Sequence, residues 1–307
     1  MTKVVTYLVE IIIVFCSAYS IYGQQDPNYT QYMYNTMTVN PAYVGSSDNF
    51  NITANYKAQF TGIDGAPETI NLGLETPVTY NVGLGLNITR DALGPSEDLN
   101  IDGNFSYSIN MSERTYLSFG LKAGFRVLNV DFRKGIFDNP NDPAFMNNIN
   151  NQFLGILGAG AYLFSEDWYL GLSTPNFFSQ EYYNEEDTMV DTEELHMYLI
   201  GGYIFDIGGN TKFKPAVLFD YTEGAPLRAN LSANFLFLDK FTAGIGYSLD
   251  ASVSGLAGFQ VSDNIFIGYA YDYNTSDFNQ YNDGSHEILI KFSLARRRGA
   301  TFSPRFF

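Results

Sequence analysis

The chain has 307 residues, a formal net charge of −16 and only 16% charged residues, against 23 Tyr, 26 Phe and 28 Gly. That acidity argues against nucleic acid as a partner, because phosphate backbones are bound by clustered Lys and Arg. Past the first residues no stretch reaches the roughly 18 apolar residues of a spanning helix, so the aromatic and glycine content favours a β protein.

Residues 1–23 have the build of a secretory signal peptide. "MTKVV" is followed by an apolar run over 4–15 and then by small and polar residues into "SIYGQQD", with cleavage expected near Gly23. Glu10 inside the apolar run departs from that pattern and keeps an uncleaved anchor as the alternative. Cys16, the single cysteine, follows the bulky Phe15, which argues against lipidation. The mature chain would then lack cysteine, which excludes thiolate metal sites and thiol catalysis and suits an oxidising compartment.

Residues 24–46 form a separate segment, expected in the periplasm or the lumen. Asp26 followed by Pro27 is a helix start. Tyr29, Tyr32, Met33, Thr36 and Met37 then share one helical face, and "NPAY" ends the turn because a residue before proline avoids helical geometry. The spacing predicts a short amphipathic element ahead of the first strand.

From Phe50 onward, alternation of period two recurs in segments of about ten residues. "LNIDGNFSYSIN" puts Leu99, Ile101, Phe105, Tyr107 and Ile109 on one face and Asn100, Asp102, Asn104, Ser106 and Ser108 on the other. Fourteen strands are expected, at about 50–60, 69–77, 80–89, 99–109, 115–129, 153–164, 168–174, 195–205, 212–221, 227–238, 241–249, 252–261, 265–273 and 286–294. Connections after odd-numbered strands are often long, as in "TRDALGPSEDL" and "DFRKGIFDNPNDPAFMNNIN", while those after even-numbered strands are tight, as in "MSER" and "LDK". Outer-membrane barrels alternate in this way, with long loops outside and short turns in the periplasm. A soluble sandwich or propeller also accepts alternating strands. Against it, Tyr116, Trp168, Phe241 and Phe266 follow acidic turns and would form a periplasmic aromatic girdle, with Tyr56, Tyr221, Tyr247 and Tyr271 at the other boundary. The fold expected is all-β: a transmembrane antiparallel β-barrel of about fourteen strands over 47–294, with a short N-terminal helical or plug segment, embedded in outer-membrane lipid.

The polar face, turned inward, carries Lys57, Lys122, Arg126, Lys214, Arg228 and Lys291 against Glu75, Asp102, Asp220, Asp272 and Glu287. A selective pore tends toward rings of one sign; this mixed set favours pairing across the interior. The loop over 180–194, "QEYYNEEDTMVDTEE", is rich in carboxylates without Lys or Arg and reads as a solvated external loop, with calcium as the sharper alternative. The histidines are His196 and His286; Ser285 beside His286 would point to the opposite face of a strand, which is wrong for a nucleophile and its base. No zinc motif, phosphate loop or dinucleotide fingerprint occurs, so neither cofactor nor catalysis is expected.

After Leu294 the alternation stops, and residues 295–307 form a basic tail in which Arg296, Arg297 and Arg298 precede Ser303, Pro304, Arg305, Phe306 and Phe307. An even strand count returns this tail to the periplasm. It would either hold the last strand at the headgroups or dock on periplasmic machinery through its arginines and aromatics.

Both ends resemble one family. "DPNYTQYMYNTMTVNPAYVGS" is similar to the N-terminal motif of the PorP/SprF outer-membrane proteins of the type IX secretion system, through Asp26, Pro27, Gln31, Tyr32, Met33, Asn35, Asn40, Pro41, Ala42, Tyr43, Gly45 and Ser46; "SPRFF" resembles that family's terminus. Thr36 stands where the family usually has proline, and Val44 where a small residue is common. The resemblance implies a non-enzymatic accessory that supports secretion of a large cargo such as an adhesin and its retention on the surface, working with periplasmic components of the machinery. A passive pore for small solutes is the alternative, and a lipid hydrolase a distant third.

Overall fold

A computed structural model describes residues 29–135, 148–178, 180–183, 189–193, 195–222 and 225–295. The strands are β1 (Asn49–Ala58), β2 (Glu68–Pro77), β3 (Val82–Leu93), β4 (Ser96–Asn110), β5 (Tyr116–Val130), β6 (Ile149–Phe164), β7 (Trp168–Thr174), β8 (Gln180–Tyr183), β9 (Met189–Glu193), β10 (His196–Tyr203), β11 (Phe205–Gly208), β12 (Thr211–Thr222), β13 (Arg228–Phe237), β14 (Phe241–Ser248), β15 (Ser252–Ser262), β16 (Ile265–Asn274) and β17 (Ser285–Ala295). All neighbours pair antiparallel. The first strand pairs with the last, from Asn49 opposite Ala295 to Ala58 opposite His286, and β10 pairs with β12, so fourteen strands close into a barrel. Closure removes every sheet edge within the membrane, which is what allows a sheet to stand in lipid.

The expected faces hold. Phe105, Tyr107 and Ile109 are exposed on the outside of β4, while Asp102, Asn104, Ser106 and Ser108 are buried on the inside. Leu231 and Phe235 on β13 and Ile245 on β14 likewise face outward. Ile245 is 67% exposed at mid-strand, so Ile245→Arg places a charge in the lipid-facing band and is expected to cost about 2–4 kcal/mol near the midplane. Gly246→Ser turns inward, where an added carbon meets Ser254 Cβ at 3.2 Å, and is expected to be milder. Urea unfolding of both variants in lipid vesicles, followed through Trp168 fluorescence, checks the ranking.

Three expectations are corrected. The stretch read as a long loop over 89–99 is mostly strand: β3 and β4 run on to a turn at Gly94 and Pro95, with Gly94 at φ 56°. Charges there conceal the alternation, and the Arg90 guanidinium meets Glu97 across the ladder at 2.7 Å. The eighth barrel strand is broken at Ile204 into β10 and β11, where the Ile204 amide donates to the Asp167 carbonyl. The acidic loop contains a hairpin, β8 with β9; its side chains lie outside the described residues, so the calcium reading finds no geometry.

The periplasmic girdle is half as expected. Trp168 and Phe241 face outward, whereas Phe266 is fully buried and Tyr116 packs inward on Phe164, rings 5.4 Å apart. In "NIFIGY" the outward set is Ile265, Ile267 and Tyr269, leaving Phe266 for the interior. At the other boundary Tyr56, Tyr221 and Tyr247 are exposed, and Tyr271 is half-buried, its hydroxyl donating to the Asp283 carbonyl.

Candidate functional site: a segment folded into the lumen

Residues 29–47, ahead of β1, lie inside the barrel. Their amphipathic spacing produces no α-helix in the described part; residues 30–34 form a turn, followed by two short 3-10 helices, Thr36–Thr38 and Pro41–Tyr43. The predicted helical face is thus replaced by burial all round: Tyr29, Gln31, Tyr32, Met33, Tyr34, Asn35, Thr36 and Met37 are all buried. A regular helix shows one face to a partner, whereas a segment enclosed by a barrel meets side chains on every side and needs no solvent face.

Its first residues are held by charge. Glu287 accepts from the backbone amides of Thr30 at 2.7 Å and Gln31 at 3.1 Å, and from the Asn55 amide at 3.0 Å. Lys57 lies 3.0 Å from Asp272 and 3.6 Å from Glu287, and donates to the Thr30 hydroxyl, which itself donates to Asp272. The Tyr32 hydroxyl reaches the Asn230 carbonyl at 3.3 Å. Tyr34 packs on Phe266, rings 5.2 Å apart, beneath the Lys214 ammonium 5.7 Å from its ring, while Lys291 donates to the Tyr34 carbonyl. Burial pushes the Tyr32 and Tyr34 phenols well above their ordinary range, so both stay neutral.

The segment then crosses the lumen. Asn35 donates to Asn71 at 2.9 Å, and Met37 reaches the inner face at Gly73 and Gly85. The Ser173 hydroxyl donates to the Val39 carbonyl. Asn40 is extended and starts the second 3-10 helix, its side chain accepting from the Ala42 amide and donating to the Ala161 carbonyl, with Pro41 as the first helical residue. Tyr43 meets Tyr162 edge-on at 5.6 Å. Gly45 has φ 73°, a conformation that favours glycine, and Ser46 closes the turn by donating its amide to the Tyr43 carbonyl. Glu75 accepts from Asn51, which also bonds Ser47, where the segment joins β1.

Two barrel glycines make this crossing possible. A side chain at Gly120 would fall on the backbone of Pro41 and Ala42, and one at Gly83 would lie 2.6 Å from the Val44 carbonyl carbon. Sequence reading missed their role, although a glycine inside a strand marks close backbone approach. It also missed the double-amide clasp of Glu287, for which the sequence holds no signal, since 256 residues separate it from Gln31.

The remaining inward charges are paired. Lys122 lies 3.6 Å from Asp102, Arg126 binds Asp98 through two hydrogen bonds, and Arg228 binds Asp220 beside His196. His196 also bonds Thr222, and no group of three or more potential metal ligands occurs among the described residues. Ser285 points inward and His286 outward to the Tyr269 hydroxyl, as strand geometry requires. Asp26 and Pro27 of the N-terminal motif, the leader over 1–23, and the tail residues Arg296, Arg297, Arg298, Ser303, Pro304, Arg305, Phe306 and Phe307 lie outside the described residues.

A closed, lipid-facing barrel of fourteen strands with a polar interior is an outer-membrane protein, with short turns and the ends of β1 and β17 at one mouth and the longer connections at the other. The chain belongs to the family of type IX secretion system membrane proteins PorP/SprF, which matches residues 21–292. No curated protein sequence matches it. Among solved structures it is similar to a TodX deltaS2S3 mutant monoaromatic hydrocarbon channel, at 8% identity with a TM-score of 0.52, covering 85% of this chain and 94% of the other. The outer membrane protein Omp33 of Acinetobacter baumannii matches at 9% identity and a TM-score of 0.48, over 81% and 100% of the two chains. These likenesses concern the fold.

Proposed function

We propose that the protein is a non-enzymatic accessory of type IX secretion that supports export and surface attachment of a large cargo, such as an adhesin, and that the cargo does not pass through its own lumen. The observation that carries this reading is the segment over 29–47, buried in the barrel and bonded to inner-face residues of strands from β1 to β17. A folded or extended cargo would have to displace it. Family membership supports the link to the secretion machinery. A partner would then engage the protein at the loop-bearing mouth or at the periplasmic end.

The test is a strain lacking this protein, scored for cargo in the medium, on the surface by protease accessibility, and inside the periplasm. Loss of surface cargo supports the accessory role; unchanged display removes it. Deleting residues 300–307 while keeping Arg296, Arg297 and Arg298 is expected to leave heat-modifiable barrel migration intact and to impair secretion or attachment. Failure of the barrel to assemble would instead assign the tail to membrane insertion.

A further inference from the structure

The segment inside the barrel has a direction. The Thr30 amide donates to Glu287, and its hydroxyl donates to Asp272 and accepts from Lys57. Those three partners sit near the loop-bearing ends of β17, β16 and β1. Further along, Ala42 lies against Gly120, the Val44 carbonyl accepts from the Ser106 hydroxyl, and Ser47 accepts from Asn51, near the opposite ends of β5, β4 and β1. The chain therefore runs from the outer mouth down to the periplasmic one, where β1 turns it upward again.

Lengths decide where the residues ahead of Tyr29 can go. With the leader cut near Gly23, Gln24 to Asn28 precede it, outside the described residues. Five residues extend over at most about 18 Å. From Lys57, level with Thr30, down to Asn49, β1 covers about 26 Å, or about 20 Å along the barrel axis at the usual strand tilt. The way down is also filled, by Tyr32, Met33, Tyr34, Met37, Ala42 and Tyr43, all buried. A return to the periplasm is out of reach for so short a piece of chain.

The outer side has room. Next to Thr30 and Tyr32 a cavity of about 310 Å³ opens toward the loop-bearing mouth, bounded there by Phe60, Ser248, Ser252 and Ser276. Its charge suits the start of a chain. Lys57 is matched by Asp272, whereas the side chain of Asp250, also on the wall, makes no hydrogen bond or ion pair among the described residues. An α-amino group, with an ordinary pKa near 8, is protonated at neutral pH and would meet a carboxylate there.

We infer that the mature N-terminus leaves the lumen outward through this cavity, so that the chain starts at the cell surface and not in the periplasm. Removal of the leader precedes seating of the segment, since its apolar run over 4–15 would otherwise have to pass through a polar lumen. Mass spectrometry of the protein purified from outer membranes should place its first residue near Gln24; a retained leader overturns the inference. The mature chain would have no cysteine, so Gln25→Cys can be probed alone, with a maleimide carried on a polyethylene glycol too large to enter the outer membrane. On intact cells it should react like Asp64→Cys, in the exposed turn between β1 and β2. Ser112→Cys, exposed between β4 and β5, should react only after the membrane is permeabilised. Reaction of Gln25→Cys only after permeabilisation overturns the inference. Should it react in neither state, a short bis-maleimide applied to Gln25→Cys combined with Ser252→Cys decides: a cross-link places the segment in the cavity, and its absence overturns that placement. Heat-modifiable migration should be unchanged in each variant, and Asn28→Cys replaces Gln25→Cys if processing or assembly is altered. None of these readouts depends on cargo, so the accessory role and the outward N-terminus can fail separately.

Discussion

Deleting residues 24–45 is expected to turn a weakly conducting barrel into an open pore. A ring of fourteen strands is wide enough to conduct when empty, and the residues removed fill the lumen with Tyr32, Met33, Tyr34, Met37, Ala42 and Tyr43, all buried. The barrel should survive, because its ladders close without the segment, through the ten paired positions of β1 with β17. Single-channel recording in planar bilayers gives the comparison. Gly120→Val makes the same point with the segment still attached: its branched side chain would occupy the space of the Pro41 and Ala42 backbone while the ladder to β4 and β6 stays intact. Flickering or enlarged conductance is expected, against little change for a valine at Gly255, where no atom lies within 4 Å of an added Cβ. A large steady conductance in the unaltered protein would instead make it a passive pore.

Lys57→Met is expected to be the most destabilising single substitution inside the barrel. It removes the ammonium lying between Asp272 and Glu287, both buried, and with it a donor to Thr30. Breaking a buried ion pair by removing one partner typically costs about 3–5 kcal/mol, because the remaining charge is left uncompensated. Lys57→Met combined with Asp272→Asn should recover much of that loss. Urea unfolding midpoints in vesicles provide the measurement. A cost under about 1 kcal/mol, the range of solvated pairs, would mean that this end of the lumen is wet enough to screen them.

Period-two alternation was sufficient to define the barrel, because lipid on one side and a polar interior on the other impose opposite demands on neighbouring side chains. It worked wherever a strand crosses the membrane, as in β4 and β14. It failed over 89–99, where Arg90, Asp91, Glu97 and Asp98 put charges on both faces of the paired strands. It also failed at Phe266 and Tyr116, whose inward rings answer to Tyr34 and Phe164 rather than to the membrane boundary.

The sequence by itself determined the strand number, the two faces of each strand, the balance of inward charge and the family, since each depends on residues that are neighbours or alternate along the chain. Only the tertiary structure decided that the N-terminal segment abandons its helix to cross the lumen, that Gly83 and Gly120 make room for its backbone, and that Glu287 clasps its first amides. Those contacts join residues at opposite ends of the chain, and they exist only after barrel closure has brought β1 beside β17, when the enclosed polar wall satisfies backbone groups that a helix would otherwise have paired within itself.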